Sequence, residues 1–187
     1  QSARTQLFML NHPVRNNLLT NGSFETGDLS AWETSGAIKV VKGGSRSGSF
    51  AAHGTGTLSQ NIRVQPGTRY KLAVRGRYTV PPGPRTRLFS TDVRFKSAGK
   101  TIWPEPNYRR LGKSRPESES TLLETTFTAP PGADTAVVSI RTTLNWPIQG
   151  AGKPVFWDDI GLEKILDGPA LKPGVLTDDF SGDHLDY

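Results

Sequence analysis

The chain has no cysteine and only one methionine, Met9, in 187 residues. Disulfide staples and thiolate metal sites are therefore excluded. Its three histidines, His12, His53 and His184, are scattered with no metal-ligand spacing. Apolar residues are scarce at 34%, and no run approaches the roughly 18 apolar residues that would mark a membrane-spanning helix. No segment carries a helical hydrophobic period, and no internal repeat is visible. Phosphate-binding loops, nucleotide fingerprints and nucleophile–base arrangements are missing as well.

What is present in quantity is 20 glycines and 14 prolines, the punctuation of a chain with many tight turns. This composition favours an all-β domain, and the length suffices for one domain to bury a core. Short alternating segments fit that reading: "AIKVV" (37–41), "SGSFAAHG", "LSQNIRV" (58–64), "YKLAVRGRYTV" (70–80), "RTRLFSTDVRFKS" (85–97), "TLLETTFTA" (121–129), "TAVVSIRTTL" (135–144) and "KPVFWDDIGLEKI" (153–165). Turn signals such as "QPGT", "PPGP" and "PPGA" separate several of them. Eight or more such strands predict a two-sheet antiparallel β-sandwich. Residues 98–120 form a long irregular stretch, 166–174 resemble a linker, and 175–187 read as the start of a truncated following domain. Residues 1–15 are expected to be an N-terminal edge segment. A chain that begins at Gln1, with its methionine at position 9, reads as a mature product or excised fragment, its signal peptide removed.

The net charge of +6 is unevenly spread. Residues 61–115 hold 14 Lys/Arg, ten of them Arg, against Asp92 and Glu105, a balance of +12. Residues 116–187 hold 12 acids against four bases, a balance of −8. Such segregation points to a basic face for an anionic partner, and arginine's planar fork suits carboxylate, sulfate or phosphate. The acidic C-terminal third argues against nucleic acid.

Five stretches occur in a telling order: "NLLTNGSFETGDLSAW" (17–32), "SGSFAA" (47–52), "VQPGTRYKLAV" (64–74), "TTFTAPPGADTAVVSI" (125–140) and "VFWDDIGLEK" (155–164). Together, across residues 16–165, they resemble carbohydrate-binding modules of the family 4, 9, 16 and 22 β-jelly-roll kind. The resemblance implies a jelly roll whose first strand and turn lie in residues 17–32. It also implies a structural calcium tying that strand to the last one. The matching positions are the side chains of Glu25 and Asp158, with main-chain carbonyls near Ser23, Arg46 and Ser47. The chemistry agrees, because a hard cation takes six to eight oxygens and relieves the repulsion between two acids. Strand alternation would send Asp159 to the face opposite Asp158.

Alternation also suggests a ligand face. If the strands at 70–80, 85–97 and 135–144 share a sheet, Arg75, Arg77, Asp92, Arg94 and Arg141 all point away from the core. Sugar rings pack on aromatic planes, and Trp103, Tyr108 and Trp146 lie in loop-like stretches. Trp32 and Trp157 are expected to pack in the core or at its rim. "NGS" (21–23) fits a glycosylation acceptor but falls within the opening motif.

The expected function is a non-catalytic module, monomeric and secreted or cell-surface, that targets a covalently linked polysaccharide-degrading enzyme to an anionic polysaccharide, uronate or sulfated. Neither nucleic acid nor membrane is an expected partner. An adhesion or structural β-sandwich is the alternative. A jelly-roll lyase using Arg75, Arg94, Tyr108 and Asp92 is the third reading.

Overall fold

A computed structural model describes residues 16–78, 90–102, 110–111, 120–142 and 154–166. They contain nine strands and no helix: β1 (Glu33–Lys42), β2 (Phe50–Arg63), β3 (Arg69–Tyr78), β4 (Ser90–Ser97), β5 (Lys100–Thr101), β6 (Arg110–Leu111), β7 (Thr121–Thr128), β8 (Thr135–Arg141) and β9 (Val155–Lys164). The segments 1–15 and 167–187, with most of the expected linker and the truncated following domain, lie outside the described residues.

Two strand expectations change. The segments "SGSFAAHG" and "LSQNIRV" belong to one continuous strand, β2. Residues 16–32 contain no strand at all, only turns and bends. Asn21, Phe24 and Ala31 adopt left-handed φ values of 53°, 59° and 69°, which interrupts an extended ladder. The segment is still laced to β9. Leu18 N donates to Leu162 O at 2.7 Å, Ile160 N to Gly22 O at 2.9 Å, and the Asn17 side chain bonds both Ile160 O and Leu162 N. The opening of the fold is thus fastened to its last strand by main-chain and amide groups.

The strands run antiparallel in the order β5-β4-β8-β2-β9-β3-β7, with β1 also on β2 and β6 on β4. Long β2 is the fork. Its first part pairs β9 over Ala52–Gly54, and its second part pairs β8 over Thr57–Arg63. Gly54 and Gly56 sit at the change of partner with φ of 146° and 144°. A Cβ on either would collide with the main chain of β1, at the Ala37 and Ser35 carbonyls. Only glycine allows that approach.

The two wings beyond the fork close on one another. Phe95 of β4 meets Phe127 of β7 edge-on at 5.8 Å, and Tyr70 of β3 stacks on Phe127 at 5.6 Å. Around them lie Leu58, Leu72, Val74, Val93, Val138, Ile140, Trp157, Ile160 and Leu162, all buried. Each large apolar side chain so buried contributes about 1.5–3 kcal/mol. Trp32 and Trp157 are both core residues, as their position in the motifs suggested. The result is an all-β jelly-roll sandwich. Because the inner faces of the wings pack together, their outer faces point in opposite directions.

Candidate functional site

On the β2–β8–β4 wing, strand register sets outward side chains in rows. Asp92 of β4 stands beside Ser139 of β8, which stands beside Ser59 of β2, which stands beside Glu33 of β1. Flanking rows hold Arg141 with Thr57 on one side, and Arg94, Val137 and Asn61 on the other. A further row carries Lys96, Thr135 and Arg63. The hydrophobic alternation of each strand forces this arrangement, since its other face is committed to the core.

Asp92 is the hub. Its Oδ2 accepts from Arg94 Nε at 3.1 Å and from Arg141 Nη2 at 3.2 Å. At the far end of the row, Asn61 Nδ2 donates to Glu33 Oε1 at 3.2 Å. Glu33 and Asn61 also line an open cavity of about 550 Å³, with Leu18, Thr20 and Arg63. A polar strip with built-in donors and acceptors therefore crosses four strands and ends in a recess. It can hydrogen-bond the hydroxyls of an extended ligand along its length. Ser59, Ser139, Asn61 and Glu33 belong to this strip and were not singled out from sequence, although the alternation of "LSQNIRV" places Ser59 and Asn61 opposite its core positions. Trp103, Tyr108 and Trp146 lie outside the described residues.

The five-residue face expected from alternation is divided. β3 is separated from β4 by β9, β2 and β8, so Arg75 and Arg77 occupy the outer face of the other wing. The physical reason is the curl of the sheet, which alternation along single strands does not reveal. The same separation prevents Arg75 from converging with Asp92 and Arg94 in a lyase-like site.

Arg75 and Arg77 instead flank the loop between β1 and β2. Arg77 Nη2 donates to Gly44 O at 3.3 Å, and its guanidinium lies 4.9 Å from the centre of the Phe156 ring. Phe156 in turn packs on His53, 4.4 Å between ring centres. Burial lowers the Arg75 pKa, with neighbouring Arg46 acting in the same direction.

The residues expected to hold calcium grip this same loop from both ends. The Glu25 carboxylate accepts from Ser49 N and Phe50 N at 2.9–3.1 Å. Phe24, buried against Trp32 at 5.9 Å between ring centres, orients it. Asp158 Oδ2 accepts from Arg46 N at 2.7 Å and Ser47 N at 3.1 Å, while its Oδ1 accepts from Asp159 N. It is the amides of Arg46 and Ser47 that face Asp158 here. Ser23 is half-buried in the turn before Phe24. Asp158 is buried, and that burial raises its pKa, assisted by the Asp159 charge and opposed by the amides.

Asp159 departs from expectation. The β3–β9 register shifts between Ala73 and Arg75, and Asp159 has a φ of 49°. This bulge cancels the alternation. Asp159 therefore reaches the same loop as Asp158, bonding the Ser47 hydroxyl and pairing with Arg46 at 3.3 Å.

The "NGS" asparagine is already engaged: Asn21 Nδ2 donates to Asp28 O and Ser30 O, and Asn21 O accepts from Trp32 Nε1.

A jelly roll with a polar strip across one outer face defines a sandwich-type binding module. Sequence comparison then gives the family: the model described as a carbohydrate binding domain, for families 4 and 9, matches residues 16–147. The chain belongs to that family. No curated protein sequence matches it. Among solved structures, a family 16 carbohydrate-binding module superposes with a TM-score of 0.59 at 19% identity, covering 79% of this chain and 99% of that one. The CBM22-2 xylan-binding domain from Paenibacillus barcinonensis Xyn10C gives 0.60 at 13% identity, covering 77% and 98%. The enzymatically active domain of bacteriophage CBA120 tailspike protein 4 gives 0.59 at 14% identity, covering 80% of this chain and 21% of that one. At these identities the structural likeness establishes the fold.

Proposed function

We propose that this carbohydrate-binding module holds an extended, anionic polysaccharide along the strip from Arg94 and Arg141, through Ser139 and Ser59, to Glu33 and Asn61. The observation that carries the reading is the row of polar side chains across four strands, ending in the cavity beside Glu33. Lys96, Arg63, Arg94 and Arg141 outnumber Asp92 and Glu33 on this wing, which supports uronate or sulfated polymers. A neutral glycan is the second reading, because Asp92 already engages both neighbouring arginines. The module is non-catalytic. It targets a covalently linked polysaccharide-degrading enzyme in the extracellular space, raising the effective concentration of enzyme on polymer.

Calcium is proposed as a structural partner of the loop between β1 and β2. Glu25 and Asp158 suit a hard cation: each retains acceptor capacity beyond its amide bonds. Asp158 is moreover a buried acid whose charged form is disfavoured without one. Among the described residues no three acids or histidines cluster as a metal site, so main-chain oxygens would complete the coordination. When bound, the ion would supply positive charge to both acids and stiffen the loop.

Affinity electrophoresis against neutral, uronate and sulfated polysaccharides tests the binding reading, with product assays alongside. Retardation by acidic polymers without new ends is expected. Retardation by neutral polymers alone would select the second reading, and release of unsaturated or reducing products would overturn the non-catalytic assignment.

A further inference from the structure

The outer face of the β9–β3 wing carries a second recess, of about 210 Å³, lined by Gly44, Arg46, Arg75, Arg77, Ser120 and Phe156 among others. Small-molecule pockets begin at roughly 300 Å³. This one has room for a single charged group with part of one sugar ring, and none for a polymer chain.

Three guanidinium groups, Arg46, Arg75 and Arg77, line it with one carboxylate, Asp158. Arg75 is half-buried and makes no hydrogen bond or ion pair with a described residue. A guanidinium carries five N–H donors, which an oxyanion entering the recess would take over from water. The acids nearby have other partners. Asp158 accepts the amides of Arg46, Ser47 and Asp159; Asp159 pairs with Arg46; Glu124 pairs with Lys71 at 2.6 Å.

The recess is also preorganised. Arg77 is fixed by the Gly44 carbonyl and by the Phe156 ring. A side chain at Gly44 would clash with that ring, so glycine brings the loop down beside Arg77. Ser120 is part of the wall. Two arginine forks around a small void match the oxygens of a planar carboxylate or a tetrahedral sulfate.

We infer that Arg75, Arg77 and the loop at Gly44–Arg46 form a second binding site, which takes one oxyanion group of an acidic sugar, carboxylate or sulfate. It lies on the wing opposite the polar strip and does not depend on what that strip binds.

The test is a titration of the full chain followed by amide correlation NMR. The probes are sodium galacturonate, sodium sulfate, galactose and sodium chloride at matched ionic strength. Saturable shifts of the Gly44, Ser45, Arg46 and Gly76 amides are expected with galacturonate and sulfate and not with galactose or chloride. Arg75→Gln should abolish them. Arg75→Lys, which keeps the charge and removes the fork, should weaken binding about tenfold, and Arg94→Ala should leave these four amide shifts in place. Equal, non-saturating shifts with chloride, or full binding by a folded Arg75→Gln protein, would overturn the site. A response to sulfate without one to galacturonate would overturn its assignment to a sugar carboxylate. Polymer retention is measured separately on Arg94→Ala, so the two sites fail independently.

Discussion

The two wings of the sandwich use arginine in opposite ways. On the β8–β4 wing, Arg94 and Arg141 both close on Asp92, and the surrounding surface is open and lined with short polar side chains. On the β9–β3 wing, Arg77 is braced by an aromatic ring and a carbonyl, while Arg75 lines a recess and bonds no described residue. Equal charge therefore does different work. An arginine tied to an acid contributes shape and hydrogen-bond direction with little net field. One that lines a recess and bonds no described residue keeps more of its demand for an anion.

The severest way to break the comparison is to remove what holds the wings together. Phe127→Ala deletes the ring that meets both Phe95 and Tyr70, and should cost about 3–5 kcal/mol, measured by denaturant unfolding. Both the polymer retention and the oxyanion shifts should weaken together in that variant.

Calcium removal should act mainly on one wing. If the ion sits on Glu25 and Asp158, chelator lowers the melting temperature by several degrees, the linkage being about 2.7 kcal/mol at a hundredfold excess over Kd. Glu25→Gln should erase that difference. A melting temperature indifferent to both calcium and chelator would count against the ion.

Arg94→Ala separates the wings from the other side. It should weaken retention by an acidic polysaccharide roughly fivefold, the equivalent of about 1 kcal/mol for an exposed charge-assisted contact. Arg75→Gln should leave that retention within twofold, because the strip lies on the far face. Equal losses in both variants would show that the faces act as one site.

The smallest effect concerns His53. Burial, with Lys39 adding to it, lowers its pKa from the ordinary 6.5. The folded state thus prefers the neutral ring, and the stability this gives is present above pH 6.5 and lost as pH falls through the lowered value. His53→Gln should flatten that part of the pH–stability curve in calorimetric melts, while Asp92→Asn should not.

How much of this was legible beforehand differs by level. Alternation in "YKLAVRGR" (70–77), "TDVRFKS" and "TAVVSIR" identified inward and outward residues correctly, because each strand must bury one face whatever its neighbours are. The motif order indicated the family for the same kind of reason, since turns and core positions recur along the chain. The first strand was misplaced because Asn21, Phe24 and Ala31 take left-handed conformations that their residue types do not announce. Asp159 was misassigned because a bulge is a property of the β3–β9 pairing.

The sequence by itself determined the all-β class, the core faces of the strands and the clustering of positive charge along the chain. Only the tertiary structure decided which arginines share a surface. Period-two alternation tells a side chain which way to point relative to its own strand, and the curl of the sheet at Gly54 and Gly56 then turns "outward" into two opposite directions. The pairing of β4 with β8 places Asp92 with Arg94 and Arg141, and the curl leaves Arg75 beside a loop on the other side of the molecule.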